Sequence, residues 1–265
     1  MNIKLSIVVL VKNEAKHLPR FFEKIKDFKN YEVIVNDNGS IDTSKAICLE
    51  NNATVIEKEW LGDQAKQFNW VLENVKLKAD WILRLDADEY LLPETIVEIN
   101  RLLENTSNIK FNAFYLKRRH YVNGEWVKQG MYPTLIVRLF KNGFAKYSDT
   151  MLMDEHLIVN GDTGALQNDF VDDSLMTRLE WLDKHAGYAI REAKMSFKNV
   201  HCTKEKKLYY KFPIFIRPFI YFIYIYLFKG GFLNGKNGFY WFLFQVFFYR
   251  IIVDVYILAI KQSKK

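Results

Sequence analysis

The chain has very little cysteine. Its two thiols, Cys48 and Cys202, stand far apart in 265 residues and at no metal or redox spacing. That excludes a disulfide scaffold, a paired-cysteine zinc site and a C-x-x-C redox centre, and it predicts a reducing compartment with both thiols used for packing. Glycine-rich phosphate loops are also missing. No G-x-G-x-x-G and no G-x-x-x-x-G-K-[ST] occurs, so neither a dinucleotide-binding fold nor a P-loop NTPase is supported. The first apolar run, Met1 to Val11, is short and meets charge at once, which reads as no signal peptide and predicts a cytosolic N-terminus.

What is present is apolar and aromatic. Hydrophobic residues make up 49% and aromatics 16%, which excludes a disordered chain and supplies a core for one large domain or a domain with an appendage. Net charge is +7, unevenly placed: from Lys204 onward eleven Lys or Arg face only Glu205 and Asp254. The tail therefore carries +9 and the rest −2. A uniformly basic nucleic-acid binder would not look like this; a near-neutral catalytic domain with a basic, aromatic, membrane-surface tail would.

The organising stretch is WILRLDADE, Trp81 to Glu89, an apolar run that ends in acids. It reads as a buried strand emerging at a sheet edge. On a strand Asp86 and Asp88 would share a face, and two carboxylates so close repel unless a cation lies between them. Oxygen-only ligation with open positions suits Mg²⁺ or Mn²⁺ completed by substrate phosphates. The plainer alternative is an acidic strand end leading into the turn at Pro93.

Upstream, strands at Leu5–Val11, Tyr31–Val35 and Ala53–Glu57 alternate with helical stretches at Ala15–Phe28, Asp42–Asn51 and Asp63–Val75. This alternation predicts βαβ units and a parallel sheet, whose ligands sit outside the carboxyl ends of the strands. Asn13 and Glu14, Asp37, the loop near Trp60, and Asp86 and Asp88 would share that edge. In NDNGSIDTS, Asp37 is placed to accept hydrogen bonds from a ligand, Gly39 allows a tight turn, and Ser40 or Asp42 can cap the next helix. Lys66 could reach ligand phosphates or simply face solvent.

Several blocks together carry a resemblance: SIVVLVKNEA, VIVNDNGSIDTS, the W-L-G-x-x-x-K-Q-x-N segment Trp60–Asn69, ADWILRLDADE, RLF at Arg138–Phe140, Glu155-His156 and KGGFLNGKNGF. The sequence resembles family 2 glycosyltransferases of the GT-A fold, and within them bacterial lipopolysaccharide-core β-glucosyltransferases. The resemblance implies an α/β, mostly parallel sheet flanked by helices and a nucleotide-sugar donor, a UDP-hexose. It also implies Asp37 at the nucleobase or ribose, Asp88 and Asp86 at a metal-diphosphate, and an inverting reaction. Inverting transfer needs a general base at the acceptor hydroxyl. By the family pattern that base aligns with Glu155, although the Asp-Glu-His order here leaves Asp154 as the alternative.

The expected division is 1–105 for the donor, 106–200 for the acceptor and 201–265 as a helical membrane-associating tail. Lys117–Gly130 reads as a hairpin-like excursion carrying Arg118, Arg119, His120 and Trp126, suited to glycan contact. Asp173–Phe197 has a helical pattern, with His185 as a polar-face residue. In the tail, Pro218–Phe228 is too short to span a bilayer, and Phe239–Ile260 carries Gln245, Arg250 and Asp254 centrally. Both read as helices lying in the interface against anionic lipid at the cytoplasmic membrane face, with a spanning second helix or an oligomer interface as the other ways to cover this surface. The acceptor would be a lipid-linked glycan or lipopolysaccharide core. The competing functions are a sugar-phosphate nucleotidyltransferase, which needs a Gly-rich, Arg-containing loop where Lys12-Asn13-Glu14 stands, and a non-catalytic membrane-bound scaffold.

Overall fold

Strand β1 (Leu5–Val11) is buried on both faces because its side chains alternate between two cores. Ile7 and Val9 enter one core, Val8 the other, and this explains why the strand reads as a continuous apolar run. The computed structural model describes residues 3–148, 156–197 and 204–263, which fall into two compact units. The first holds residues 3–121, 133–148 and 156–175; the second holds 122–132, 176–197 and 204–263.

In the first unit, β1 is followed by α1 (Leu18–Ile25), β2 (Tyr31–Asp37), α2 (Ser44–Glu50), β3 (Thr54–Glu57), α3 (Gln64–Asn74) and β4 (Trp81–Arg84). Then come β5 (Glu89–Leu91), α4 (Pro93–Glu104) and β6 (Ala113–Val122). After a turn at Asn123-Gly124 and the short β7 (Glu125–Trp126), which belong to the second unit, the first unit continues with β8 (Thr134–Lys141), β9 (Ala145–Tyr147), β10 (Leu157–Val159) and β11 (Thr163–Asp172). The main sheet runs β3-β2-β1-β4-β8-β6-β11-β5, with β9 and β10 forming a separate pair. Helices α1 and α4 pack on one face through Leu18, Phe21, Ile25, Ile96 and Ile99; α3 covers the other through Ala65, Phe68 and Val71. These faces are the apolar stripes of each helix, and burying Phe68 alone is worth about 2–3 kcal/mol.

The sheet is mixed rather than all parallel. The strands from β3 to β4 are parallel, β8 runs antiparallel to β4 and β6, β11 is parallel to β6, and β5 is antiparallel to β11. Asp86 and Asp88 are not on a strand. β4 stops at Arg84, and the acids form a turn closed by Glu89 N–H donating to the Asp86 carbonyl at 3.0 Å. Pro93 starts α4, where its missing N–H costs nothing. Lys117 to His120 lie on β6, and their charges face β11 acids: Arg119 meets Asp169 at 2.6 Å and Arg118 meets Asp172 at 3.7 Å.

The second unit begins earlier than residue 201. It takes in α5 (Arg178–Phe197), which buries Ala189 and Ala193 against Tyr249, Val253 and Ile257. After α6 (Lys204–Tyr209) and α7 (Ile216–Ile223), α8 (Gly235–Phe242) and α9 (Tyr249–Gln262) are parts of one 32-residue helix, Gly231–Gln262, long and apolar enough to cross a membrane. The polar residues counted against a spanning segment all turn inward. Gln245 accepts from Trp181 Nε1 at 3.0 Å, Arg250 meets Glu192, and Asp254 meets the Arg217 guanidinium, with Nε at 2.9 Å. His185 is buried rather than a polar-face residue, stacked on Trp181 at 4.0 Å with Nδ1 2.9 Å from the Trp181 carbonyl.

Candidate active site

The carboxyl ends of β1, β2, β4, β6 and β11 share one edge of the main sheet, because β6 and β11 run the same way as β1. At the end of β1, Asn13 adopts a positive φ of 57° and turns the chain across the end of β2. Its N–H donates to Ser40 Oγ at 2.9 Å, and its Oδ1 accepts from Ile41 N at 2.9 Å. The Glu14 N–H reaches Ser44 Oγ at 2.8 Å, and the Ala15 N–H reaches Asp42 Oδ2 at 3.2 Å. Asp42 thus ties two loops together while its other oxygen accepts from Ser44 N at 3.0 Å. Asp37 is buried at the end of β2 and accepts from Ser40 N at 2.9 Å. Beside it stands Asn38, 6% exposed, whose Oδ1 is buried without a hydrogen-bond partner. A buried unmatched acceptor costs about 1–3 kcal/mol, a deficit that a ligand N–H would remove.

Two strands along from β2, roughly 10 Å by the usual strand spacing, lies the acidic turn. Its charge balance differs from the one read in sequence. Arg84 and Arg138, both buried, flank Asp86 at 3.0 and 3.6 Å, so two guanidinium groups already sit where a neutralising cation was argued. Arg138 also meets Glu89, whose carboxyl is pushed up by burial although Arg138 opposes the shift. On the next strand Asp172, in register with both Glu89 and His120, has its Oδ2 3.3 Å from His120 Nδ1. Burial pushes Asp172 up, but the His120 hydrogen bond and the His120, Arg118 and Arg138 charges outweigh it and hold the carboxyl well below the usual range. Burial holds the His120 imidazole below its ordinary value.

Carboxylate oxygens suit a hard divalent cation. Among the described residues no group of three or more His, Cys, Asp or Glu could hold a metal, so an ion here would draw on one or two carboxylates plus ligand phosphates and water, the habit of Mg²⁺. Asp88 is half-buried and Asp86 32% exposed, which leaves both carboxylates within reach of such a ligand.

The structure therefore brings Asn13, Glu14, Asp37, Asp86 and Asp88 to one edge. Lys66 is exposed on the first turn of α3, which Asp63 caps through Ala65 N at 2.7 Å. Asp154 and Glu155 lie outside the described residues; the neighbouring His156 is exposed. Sequence reasoning missed Arg20, Arg84, Asn38, Asp172 and Asp173 as parts of the site. Asn38 and Arg84 had a local signal, Asn38 as the residue after Asp37 in the same loop and Arg84 inside WILRLDADE, two residues before Asp86.

The model of glycosyl transferase family 2 matches residues 6–167. An uncharacterized glycosyltransferase of Rickettsia typhi is 26% identical over 246 residues, covering 89% of this chain and 80% of that protein. One from Rickettsia prowazekii is 30% identical over 155 residues, 58% of this chain and 51% of its own length. Solved structures similar in fold include S. aureus TarS 1–349 in complex with UDP-GlcNAc, with TM-score 0.50 and 15% identity over 71% of this chain and 65% of that one. Another is a mannosyltransferase from Pyrobaculum calidifontis in complex with GDP-Man and Mn²⁺, with TM-score 0.52 and 12% identity over 98% of this chain and 86% of that one.

Proposed function

The chain belongs to glycosyl transferase family 2, and from that premise we propose that it is a metal-dependent, inverting hexosyltransferase acting at the cytoplasmic face of a membrane. It would move glucose from a UDP-sugar to a lipid-linked glycan or lipopolysaccharide core. The observation that carries this reading is the common sheet edge, where an Asp37–Asn38 acceptor pair stands two strands from the acidic turn Asp86–Asp88. Asp37 and Asn38 would take the nucleobase or ribose, Asn13 and Glu14 would shape that loop, and Lys66 would meet the diphosphate. Asp88, with Asp86, would hold Mg²⁺ or Mn²⁺, which when bound neutralises the departing diphosphate. Glu155 or Asp154 is assigned as the base from the family resemblance. Residues 1–105 would serve the donor and 106–200 the acceptor.

For the membrane arm, exposed Phe219, Ile223, Leu227, Phe228, Phe232 and Leu233 supply apolar surface, and the tail lysines supply attraction to anionic lipid. The nucleotidyltransferase reading is disfavoured. The Lys12–Ala15 segment is tied to Ser40, Asp42 and Ser44 by its own backbone and has no Gly-rich turn to wrap a triphosphate.

Calorimetric titration of UDP into detergent-purified protein, with Mn²⁺ and again with EDTA, tests the donor site. Metal-enhanced binding is expected; folded protein that binds UDP under neither condition sinks the reading. Flotation with anionic vesicles tests the membrane arm, and protein left in the soluble fraction counts against it.

A further inference from the structure

Three residues on one face of α1 and the turn before it, His17, Arg20 and Lys24, are spaced at i, i+3 and i+7. Arg20 reaches the acidic turn, His17 the segment after β11, and Lys24 the Tyr90 ring on β5. Arg20 Nη1 donates to Asp173 Oδ2 at 2.6 Å, and Nη2 donates to the Asp173 carbonyl at 2.5 Å. The same Nη2 lies 3.5 Å from the Asp88 carbonyl, which also accepts from Asp173 N at 3.2 Å. Arg20 and Lys24 stand over the Tyr90 ring at 5.1 and 5.7 Å. His17, 2% exposed, bonds Glu14 at 2.5 Å through Nδ1 and accepts from Leu175 N at 3.0 Å through Nε2.

The Asp88 carbonyl thus faces two N–H donors, the Asp173 backbone at the end of the sheet and the Arg20 guanidinium from α1, which are themselves joined by the Arg20–Asp173 ion pair. A guanidinium is suited to this because its planar fork serves several acceptors at once. An ordinary surface ion pair would touch neither the backbone of the acidic turn nor the helix that follows the nucleotide loop.

We propose that the Arg20–Asp173 pair is the positioning device of the acidic turn: it fixes the Asp88 peptide, and with it the direction of the Asp88 carboxylate toward a metal-bound diphosphate. Neither residue is a ligand. Both act through Asp88, as groups behind a metal ligand do when they set its orientation. This rests on the reading above that Asp88 holds the cation.

The test uses the full chain in detergent, with UDP as probe and GDP run alongside, titrated with Mn²⁺ and with EDTA. In the unsubstituted protein Mn²⁺ should tighten nucleotide binding. In Arg20→Gln that gain should shrink by about tenfold or more, the usual effect of losing such a supporting group, while the EDTA affinity stays as before. Arg20→Lys, which keeps the charge but not the fork, should fall between. A folded Arg20→Gln that keeps the whole gain overturns the positioning role and leaves the metal reading standing. An unsubstituted protein with no Mn²⁺ gain overturns both. If Arg20→Gln does not fold, Asp173→Asn, which keeps the shape and the backbone contacts, is read by the same criterion.

Discussion

Asp86 and Asp88 are two residues apart, yet their surroundings assign them different work. Asp86 faces Arg84 and Arg138, and its backbone N–H donates to Glu89 Oε2 at 3.0 Å, so it belongs to a partly buried charge cluster that holds the turn. Asp88 meets the sheet through its carbonyl, which accepts from Asp173 N at 3.2 Å, and its half-buried carboxylate is the group that the proposed function assigns to the cation. Asp88→Asn should therefore cut sugar transfer at least about a hundredfold, the scale of losing an electrostatic contact to a developing charge, with the melting temperature essentially kept. Asp86→Asn should lose activity and also about 1–3 kcal/mol of stability, since buried Arg84 loses the carboxylate it meets at 3.0 Å and buried Arg138 keeps only Glu89 of the two carboxylates near it. Paired turnover and thermal-unfolding measurements separate the two. Equal destabilisation by both variants would contradict this division.

At the scale of elements, the hairpin after β6 is held by close approach. Gly130 has φ 95°, and a Cβ there would meet the Phe242 ring at 2.6 Å; Gln129 N also donates to Asn234 Oδ1 at 3.0 Å. Gly130→Ala should cost about 2–3 kcal/mol from backbone strain and displaced packing, read as earlier unfolding of this unit by tryptophan fluorescence from Trp126, Trp181 and Trp241. The strands β1 to β4 were legible because each is a short apolar run closed by polar residues. β5 was not, being three residues between an acidic turn and a proline. Nor was β11, whose register shifts between Ala165 and Asp169 and whose Gln167 and Asn168 N–H groups bond the Glu98 carboxylate at 2.8 and 3.0 Å. That break hides the two-residue period. The strand-end rule placed Asn13, Asp37 and Asp88 on one sheet edge from local pattern, and the fold has them there. Arg20 with Asp173 and His120 with Asp172 were hidden because each pair is joined only by the folded sheet, and nothing near either member announces the other.

For the whole molecule, the buried His185 sets a pH dependence. Burial lowers its pKa to about 4, against a weaker opposing hydrogen bond to Trp181 and with a further push from Lys184. The unfolded chain, with an ordinary value near 6.5, binds the proton first. Stability is therefore full above about pH 6.5 and is lost as pH falls toward 4, by roughly 2 kcal/mol after allowing for partial solvent screening. His185→Phe should flatten the melting-temperature profile over that window, and an unchanged slope would place the proton elsewhere. A last consequence concerns synthesis. The acidic turn leads into β5, yet among the described residues β5 pairs only with β11, and the Asp88 carbonyl accepts from Asp173 N. A chain emerging from the ribosome presents the Asn13 and Asp37 loops early and completes the backbone contacts of the acidic turn late, so under the proposed function a product that stops before β11 should bind UDP without the gain from Mn²⁺.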